Sequence, residues 1–202
     1  MFVTLSDRIS FLPKEDEPLS AEVFVIRGKT YTWLFDAGNG NHVLEKLHTL
    51  PRPIRAVISH FHPDHMGNAA FLQSEKLYLG DYACKKRGNG MFVTCVTEET
   101  VIRDGITLRI WPLPSSHAKG SLMLETEDFL FLGDGLYATQ KNGQRAYNAT
   151  VLKETLNALQ KTTASRFVCS HHDPLVRPRE EVFLEMQSIY MKRQKDEPYI
   201  LL

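Results

Sequence analysis

The sequence lacks the features that mark several common classes of protein. Lysine and arginine together number 24, as do aspartate and glutamate, so no net charge favours nucleic acid as a partner. No run approaches the ~18 apolar residues that a membrane-spanning helix needs. The residues after Met1 show neither the basic nor the long apolar segment of a secretory signal. We therefore expect a cytoplasmic protein that binds neither nucleic acid nor a membrane.

Cysteine is also scarce. Cys84, Cys95 and Cys169 are scattered without the CxxC spacing of a metal or redox motif. This odd number argues against a disulfide framework and favours a reducing compartment. The composition is otherwise ordinary, with 43% hydrophobic residues, and the length of 202 residues predicts a single domain over residues 1–202.

Apolar runs and amphipathic patterns alternate along the chain. Strands are predicted over residues 21–38 as a pair joined by a tight turn, and over residues 54–59, 76–80, 106–114, 121–135 and 166–170. Helices are predicted before Pro51, over residues 68–75 and 148–161, and from Pro178 onward. An irregular loop is predicted at Gly88-Asn89-Gly90. Because strands and helices alternate through most of the chain, we predict an α/β domain with sheets inside and helices outside.

The segment "SHFHPDHMGN" (59–68) concentrates potential metal ligands. His60 and His62 are two positions apart at the end of a predicted strand, so an extended backbone points both to the same side. Asp64 and His65 follow a turn at Pro63 and face a second position nearby. Imidazole and carboxylate are ligands that zinc and similar divalent metals prefer, so the segment predicts part of a metal site.

Three further residues follow apolar runs elsewhere in the chain. His117 follows "WPLPSS", Asp134 stands in "FLFLGDG", and His171 stands in "FVCSHHD". Each strand should deliver its residue to the same edge of a sheet. Together with the first segment they supply enough ligands for two metal ions.

Five segments resemble, in the same order, the motifs of the metallo-β-lactamase superfamily. They are "LFDAG" (34–38), "SHFHPDHMGN" (59–68), "SSHAKGSLML" (115–124), "FLFLGDGLY" (129–137) and "VCSHHDP" (168–174). The resemblance covers nearly the whole chain and implies that family's fold, a four-layer αββα sandwich with the metals at one edge between two sheets. The chain departs from the family's common Gly-His-Thr-Pro at Ser116-His117-Ala118-Lys119, which keeps the ligand but changes the turn that presents it.

The resemblance also implies a role for each candidate residue. It assigns His60, His62 and His117 to one metal, Asp64, His65 and His171 to a second, Asp134 to both, and Asp36 to the support of the ligands. His171 is favoured over His172 because the family has Gly-His here, and because neighbours on a strand point to opposite faces. The implied cofactors are two divalent metal ions, zinc first, with iron or manganese as alternatives.

The resemblance implies a binuclear hydrolase, nearer to the glyoxalase II and lactonase-like members than to the true β-lactamases. In such an enzyme a hydroxide shared by the metals attacks a small ester, thioester or lactone, and Asp64 is both a ligand and a proton shuttle. Tyr137 is a second catalytic candidate, because some lactonases of the superfamily hold a Tyr here that contacts the substrate carbonyl. The expected partner is a small-molecule substrate, and the oligomeric state is open.

Other functions stay open at this point. A mononuclear iron oxygenase acting on a persulfide shares these ligands, and a phosphodiesterase or nuclease shares the fold. The flavodiiron oxidoreductases of the superfamily carry Glu where this chain has His62. A non-catalytic scaffold is disfavoured, because such proteins usually lose ligands. Lys141 and Arg145 are candidates to meet an anionic substrate group, although a solvated loop is the favoured interpretation of residues 139–147.

Overall fold

Two large β-sheets pack face to face in the computed structural model, which describes residues 1–87 and 92–202. The strands, in chain order, are β1 (Val3–Thr4), β2 (Ile9–Leu12), β3 (Glu15–Asp16), β4 (Leu19–Ser20), β5 (Val23–Arg27), β6 (Thr32–Phe35), β7 (Ile54–Val57), β8 (Lys76–Gly80), β9 (Val93–Val96), β10 (Thr100–Arg103), β11 (Thr107–Leu113), β12 (Ser121–Thr126), β13 (Phe129–Gly133), β14 (Thr139–Lys141), β15 (Gln144–Asn148), β16 (Arg166–Cys169), β17 (Val176–Pro178) and β18 (Tyr199–Leu201). The helices are α1 (Asn41–His48), α2 (Pro63–Met66), α3 (Asp81–Arg87), α4 (Ala149–Leu159) and α5 (Arg179–Met191).

Within the described ranges, no helix is long and apolar enough to cross a membrane. The loop predicted at Gly88-Asn89-Gly90 lies outside the described residues.

The two sheets differ in the direction of their strands. In the described part of the chain the first sheet has the order β1-β2-β5-β6-β7-β8-β9, antiparallel from β1 to β6 and parallel from β6 to β9. The second has the order β10-β11-β12-β13-β16-β17 and is antiparallel except for the pair β13 and β16. Because parallel strands end at the same edge of a sheet, each sheet brings at least two chain segments together there.

Apolar side chains from both sheets fill the space between them. Phe24, Trp33 and Phe35 of the first sheet meet Phe129 and Phe131 of the second, and the ring centroids of Phe24 and Phe131 are 4.8 Å apart. Complete burial of each such side chain contributes about 1.5–3 kcal/mol of transfer free energy. A second apolar cluster packs α1 on the outer face of the first sheet, and a third packs α4 and α5 on the outer face of the second. These layers confirm the predicted αββα sandwich.

Most predicted elements lie where the apolar pattern indicated, with two exceptions. The helix predicted over residues 68–75 is wrong: α2 begins earlier, with Pro63 at its first position, and a 3-10 turn over Gly67–Ala70 follows it. Proline favours this position because its fixed φ suits the first helical turn and its missing N–H is not needed there. Residues 139–147, interpreted as a solvated loop, form the hairpin of β14 and β15, to which the C-terminal β18 adds a third strand.

The cysteines also differ from expectation. Cys84 of α3 and Cys95 of β9 form a disulfide, while Cys169 is a buried free thiol. The scattered spacing had predicted no disulfide framework, and this is wrong for the first pair. The spacing is uninformative here because α3 and β9 fold back on one another and bring residues 11 positions apart into contact.

Candidate metal centre

The ends of the parallel strands meet at one edge of the sandwich. Asp36 follows β6 and His60 lies just beyond β7 in the first sheet, while Asp134 follows β13 and His171 lies just beyond β16 in the second. The remaining candidates come from connecting segments: His62, Asp64 and His65 from the start of α2, and His117 from the loop between β11 and β12. The predicted ligands therefore converge, although they span 112 positions of the sequence.

Three imidazoles, those of His60, His62 and His117, form what we call the histidine cluster. Nε2 of His60 lies 2.9 Å from Nδ1 of His62, and Nε2 of His117 lies 3.2 Å from the same Nδ1. Burial and the neighbouring imidazoles lower the pKa of His60 well below its usual value. Burial also lowers the pKa of His117, although Asp134 opposes this. The ring nitrogens of the three imidazoles thus face one point, an arrangement that suits a cation accepting their lone pairs.

Asp64, His65, Asp134 and His171 form a second group, the carboxylate cluster. Nε2 of His65 lies 3.4 Å from Oδ2 of Asp64 and 3.3 Å from Oδ1 of Asp134, and Nε2 of His171 lies 3.0 Å from Oδ2 of Asp64. The hydrogen bond with Asp64 raises the pKa of His171. Burial lowers the pKa of His65, but Asp36 and Asp134 outweigh it and raise that pKa to about 10.

Asp134 faces both clusters. Its Oδ1 lies 3.3 Å from Nε2 of His65, and its Oδ2 lies 3.5 Å from Nε2 of His117. Each carboxylate oxygen thus points to a different cluster, which is the placement that a bridging ligand between two cations requires.

The two clusters fit divalent metal ions. In each cluster the potential ligand atoms all lie within 4.8 Å of one another. Nε2 of His65 and Oδ1 of Asp134 are buried and have no hydrogen-bond partner among the described residues. A buried polar atom without a partner costs about 1–3 kcal/mol, and a cation between these two atoms would satisfy both. The ligand set of imidazole and carboxylate suits zinc, and also iron or manganese.

Asp36 and Ser59 support the carboxylate cluster from behind. Asp36 accepts hydrogen bonds from the backbone N–H of Ser59 at 2.6 Å and from its hydroxyl at 2.8 Å. Its Oδ2 also lies 2.7 Å from Nδ1 of His65. In the neutral ring this contact favours the proton on Nδ1, which leaves Nε2 able to bind a metal. The backbone of Asp36 has a φ of 67°, a left-handed conformation that is uncommon for any residue but glycine.

The structure separates His171 from its neighbour His172. His171 reaches Asp64, whereas Nδ1 of His172 lies 3.0 Å from the carbonyl oxygen of Pro174. The alternation of a strand is not the reason, because β16 ends at Cys169 and His171 has a left-handed φ of 59°. The backbone turn at His171 directs the imidazole.

Tyr137 lies beside both clusters. Its ring centroid is 6.1 Å from that of His117, and its hydroxyl donates a 2.7 Å hydrogen bond to the carbonyl oxygen of Ser170. Burial, together with the nearby Asp134, raises the pKa of this phenol well above its usual value. The hydroxyl must exchange this hydrogen bond in order to contact a substrate, so its catalytic role stays a prediction.

A cavity of about 250 Å³ lies against Asp134 and Tyr137. Apolar side chains line part of it, among them Leu136, Val182 and Met186. Two cations were candidates for substrate binding. Arg145 lines this cavity, whereas Lys141 lines a different one. Nζ of Lys141 lies 4.8 Å from the ring centroid of Tyr199. Lys119 is exposed.

Sequence reasoning missed two residues at this centre, Ser59 and Glu22. Glu22 is buried, and its Oε2 accepts a hydrogen bond from the backbone N–H of His171. Ser59 stands directly before His60, so its position could have drawn attention. Glu22 is 149 positions from its partner, and the only local signal is a charged residue at the start of an apolar strand.

Comparisons with known proteins bear on the family. A family model described as the metallo-beta-lactamase superfamily matches residues 16–77. This segment carries Asp36, His60, His62, Asp64 and His65. A comparison with curated proteins finds no match.

Solved structures share the fold over most of the chain. A metallo-beta-lactamase from Pontibacter korlensis is 16% identical, covers 96% of this chain and 99% of its own, and has a TM-score of 0.69. An archaeal metallo-beta-lactamase superfamily protein from Sulfolobus tokodaii is 18% identical, covers 95% and 90%, and has a TM-score of 0.65. A flavo di-iron protein from Thermotoga maritima is 12% identical, with a TM-score of 0.72; the match covers 97% of this chain but 62% of that protein.

These identities show a common fold and do not identify a reaction. The family match and the αββα sandwich support the same conclusion from sequence and from structure. Residues 16–77 match the metallo-β-lactamase superfamily model, and the chain shares its fold with solved proteins of that superfamily, in line with the resemblance of its motifs.

Proposed function

We propose that the chain is a binuclear metal-dependent hydrolase that cleaves a small ester, thioester or lactone. The observation that carries the proposal is the position of Asp134, which turns one oxygen toward each cluster at 3.3 and 3.5 Å. Two zinc ions held by the clusters would lower the pKa of a shared water toward ~7 and polarise the oxygen of the scissile group. We also propose that residues 1–202 act as one domain.

The residues of the chain would orient and exchange protons around that centre. Asp36 fixes the tautomer of His65, and Asp134 fixes the spacing of the clusters. Burial raises the pKa of Asp64, but His171 and His65 outweigh it and keep the carboxylate ionised. The side chain of Asp64 is 14% exposed, against 8% for Asp134, so Asp64 is the aspartate better placed to pass a proton to solvent. This supports its assignment as the proton shuttle.

The surroundings support a small acyl substrate. The cavity beside Asp134 is partly apolar and, at about 250 Å³, has room for roughly a dozen non-hydrogen atoms. Arg177, a second cation in its lining, is paired with Glu181 at 2.6 Å and Glu185 at 2.7 Å. The charge that remains there is too small for a polyanion such as nucleic acid. This favours a lactonase-like or glyoxalase II-like substrate over a phosphodiester.

The test is a substrate panel with metal-loaded protein. We expect hydrolysis of p-nitrophenyl esters, acyl thioesters or lactones, with little activity on phosphodiesters and β-lactams. Chelation should abolish the activity, and added zinc should restore it. Absence of hydrolysis across the panel, or activity that survives chelation, would contradict the proposal.

Iron-dependent oxygen chemistry is a second candidate. It is favoured by the fold likeness to the flavo di-iron protein, and the histidine and carboxylate ligands also suit iron. His62 stands against it in its flavodiiron form, since those enzymes carry Glu there. Metal analysis of protein purified without added metal separates the candidates: iron together with oxygen uptake would replace the hydrolase proposal.

A further inference from the structure

Glu22 is a buried carboxylate that lies against the carboxylate cluster without belonging to it. The residue is 5% exposed, and its Oε2 accepts a 3.0 Å hydrogen bond from the backbone N–H of His171. A carboxylate at this depth needs a hydrogen-bond donor to offset the loss of water. Its donor is the backbone of a candidate metal ligand, which ties the position of that ligand to Glu22.

His171 needs such a contact because of its backbone conformation. Its φ of 59° lies in the left-handed region, which residues other than glycine seldom occupy unless the surroundings hold them there. Glu22 fixes the amide, while Asp64 contacts Nε2 at 3.0 Å. Without the first contact the peptide is free to relax toward the right-handed region, which would turn the imidazole away from Asp64.

The residue before Glu22 makes a matching contact. The backbone N–H of Ala21 donates a 2.9 Å hydrogen bond to the carbonyl oxygen of Asp64. Two consecutive residues just ahead of β5 therefore hold the backbones of two ligands, Asp64 beyond the first sheet and His171 beyond the second. The segment joins the two halves of the sandwich at this cluster.

We propose that Glu22 is a positioning residue that fixes His171 for metal binding at the carboxylate cluster. The inference rests on the two-metal site of the proposed function and not on its reaction. Because Glu22 acts through the amide of His171, its effect is confined to one cluster. Metal binding by the histidine cluster is spared.

The experiment measures zinc binding to the full chain by competition with a chromophoric chelator. Glu22→Ala removes the acceptor, and we expect one of the two binding steps to weaken about 10–100-fold while the other is unchanged. Glu22→Gln keeps an oxygen that can accept the same bond, so binding should return close to the wild-type value. Glu22→Asp retains the charge but not the reach, and it should weaken the same step; it also serves if the alanine variant fails to fold.

Glu125→Gln is the matched control for burial. Glu125 is also 5% exposed, but its carboxylate contacts Thr162 and Thr163, away from the centre, so both binding steps should be unchanged. His171→Ala identifies the step that belongs to the carboxylate cluster. In that background Glu22→Ala should leave the remaining binding step unchanged, because Glu22 acts only on the cluster that His171→Ala has emptied.

Equal weakening of both steps by Glu22→Ala, or a weakening of the remaining step in the double variant, would overturn the inference. So would normal zinc binding by a folded Glu22→Ala protein. A wild-type protein that binds two zinc ions and hydrolyses no substrate would contradict the proposed reaction while leaving the role of Glu22 intact.

Discussion

The histidine cluster and the carboxylate cluster lie side by side, but the protein supports them in different ways. In the carboxylate cluster, ligands are tied to buried groups outside it: Asp36 contacts Nδ1 of His65, and Glu22 holds the amide of His171. In the histidine cluster, His60 has such a contact, at 3.0 Å from its Nδ1 to the hydroxyl of Ser59, whereas Nδ1 of His62 lies against the other two imidazoles. The pKa values shift in opposite directions, down for His60 and up for His65.

The difference shows which part of the centre the fold organises in advance. In the carboxylate cluster, hydrogen bonds and opposite charges hold the side chains in place before any ion binds. In the histidine cluster, Nδ1 of His62 lies within hydrogen-bonding distance of the other two imidazoles and, among the described residues, of no carboxylate, so a metal ion placed between the rings would replace these contacts. We therefore expect the carboxylate cluster to be preorganised and the histidine cluster to take its final geometry from the metal.

Removal of the group shared by both clusters should have the largest effect. Asp134→Asn weakens the bridge, and we expect kcat/KM for the best substrate of the panel to fall at least about 1,000-fold, equivalent to several kcal/mol of transition-state stabilisation. Asp128→Asn is the matched control, because this partly exposed aspartate stands at the opposite end of β13. Equal losses in the two variants would show that Asp134 supports the strand and not the reaction.

Removal of one ligand from each cluster sharpens the comparison. His117→Ala should reduce the metal content from about two ions per chain to about one by emptying the histidine cluster, and His171→Ala should do the same for the carboxylate cluster. Elemental analysis after dialysis against metal-free buffer gives the count. If either variant loses both ions, the clusters bind metal as one unit and the contrast between them does not hold.

Acidification should affect the clusters in sequence. A histidine must be neutral to bind a metal, so protons compete below its pKa. The pKa of His65 is raised to about 10 in the metal-free protein, and affinity at the carboxylate cluster should fall steadily as the pH falls from there. The pKa values of His60 and His117 are lowered, so protons compete with the metal at the histidine cluster only at lower pH.

The pH dependence can be measured separately for each cluster. His117→Ala leaves the carboxylate cluster complete, and His171→Ala leaves the histidine cluster complete. We expect zinc affinity to fall more steeply from about pH 9 to pH 6 in His117→Ala than in His171→Ala. A steeper fall in His171→Ala would contradict the expected difference between the clusters.

Tyr137 borders both clusters and should give the smallest effect. Because its hydroxyl already donates to Ser170, we expect Tyr137→Phe to lower stability by about 1 kcal/mol, measured by urea unfolding. The loss in kcat/KM should stay below about tenfold, less than the 100-fold or more that is typical of a group transferring a proton in the transition state. A larger loss at unchanged stability would show that Tyr137 contacts the substrate, as the sequence predicted.

The fold and the ligands could be predicted from sequence better than the support around them. Apolar runs ending in Asp or His indicated which residues reach the sheet edge, and the structure brings all seven predicted ligands into the two clusters. Asp36 was found through the family resemblance. Glu22 could not be found, because its contact with His171 depends on two sheets packing together and leaves no local pattern.

Two local features also escaped prediction. The orientation of His171 follows from a left-handed backbone, which strand alternation does not describe. The hairpin of β14 and β15 was hidden because its residues are polar and largely exposed, so no alternation of apolar residues marks it. Both depend on backbone geometry that the hydrophobic pattern does not encode.

The parallel strand pairs have a further consequence when set beside each other. β6 and β7 are joined through α1 and lead into Asp36 and into Ser59-His60. β13 and β16 are joined through the hairpin of β14 and β15 and then α4, and they lead into Asp134 and into Ser170-His171. Each half thus delivers an aspartate and a Ser-His pair to the centre from the ends of two parallel strands. The two aspartates have different roles, because Asp36 contacts Nδ1 of His65 alone among the ligands, whereas Asp134 faces both clusters.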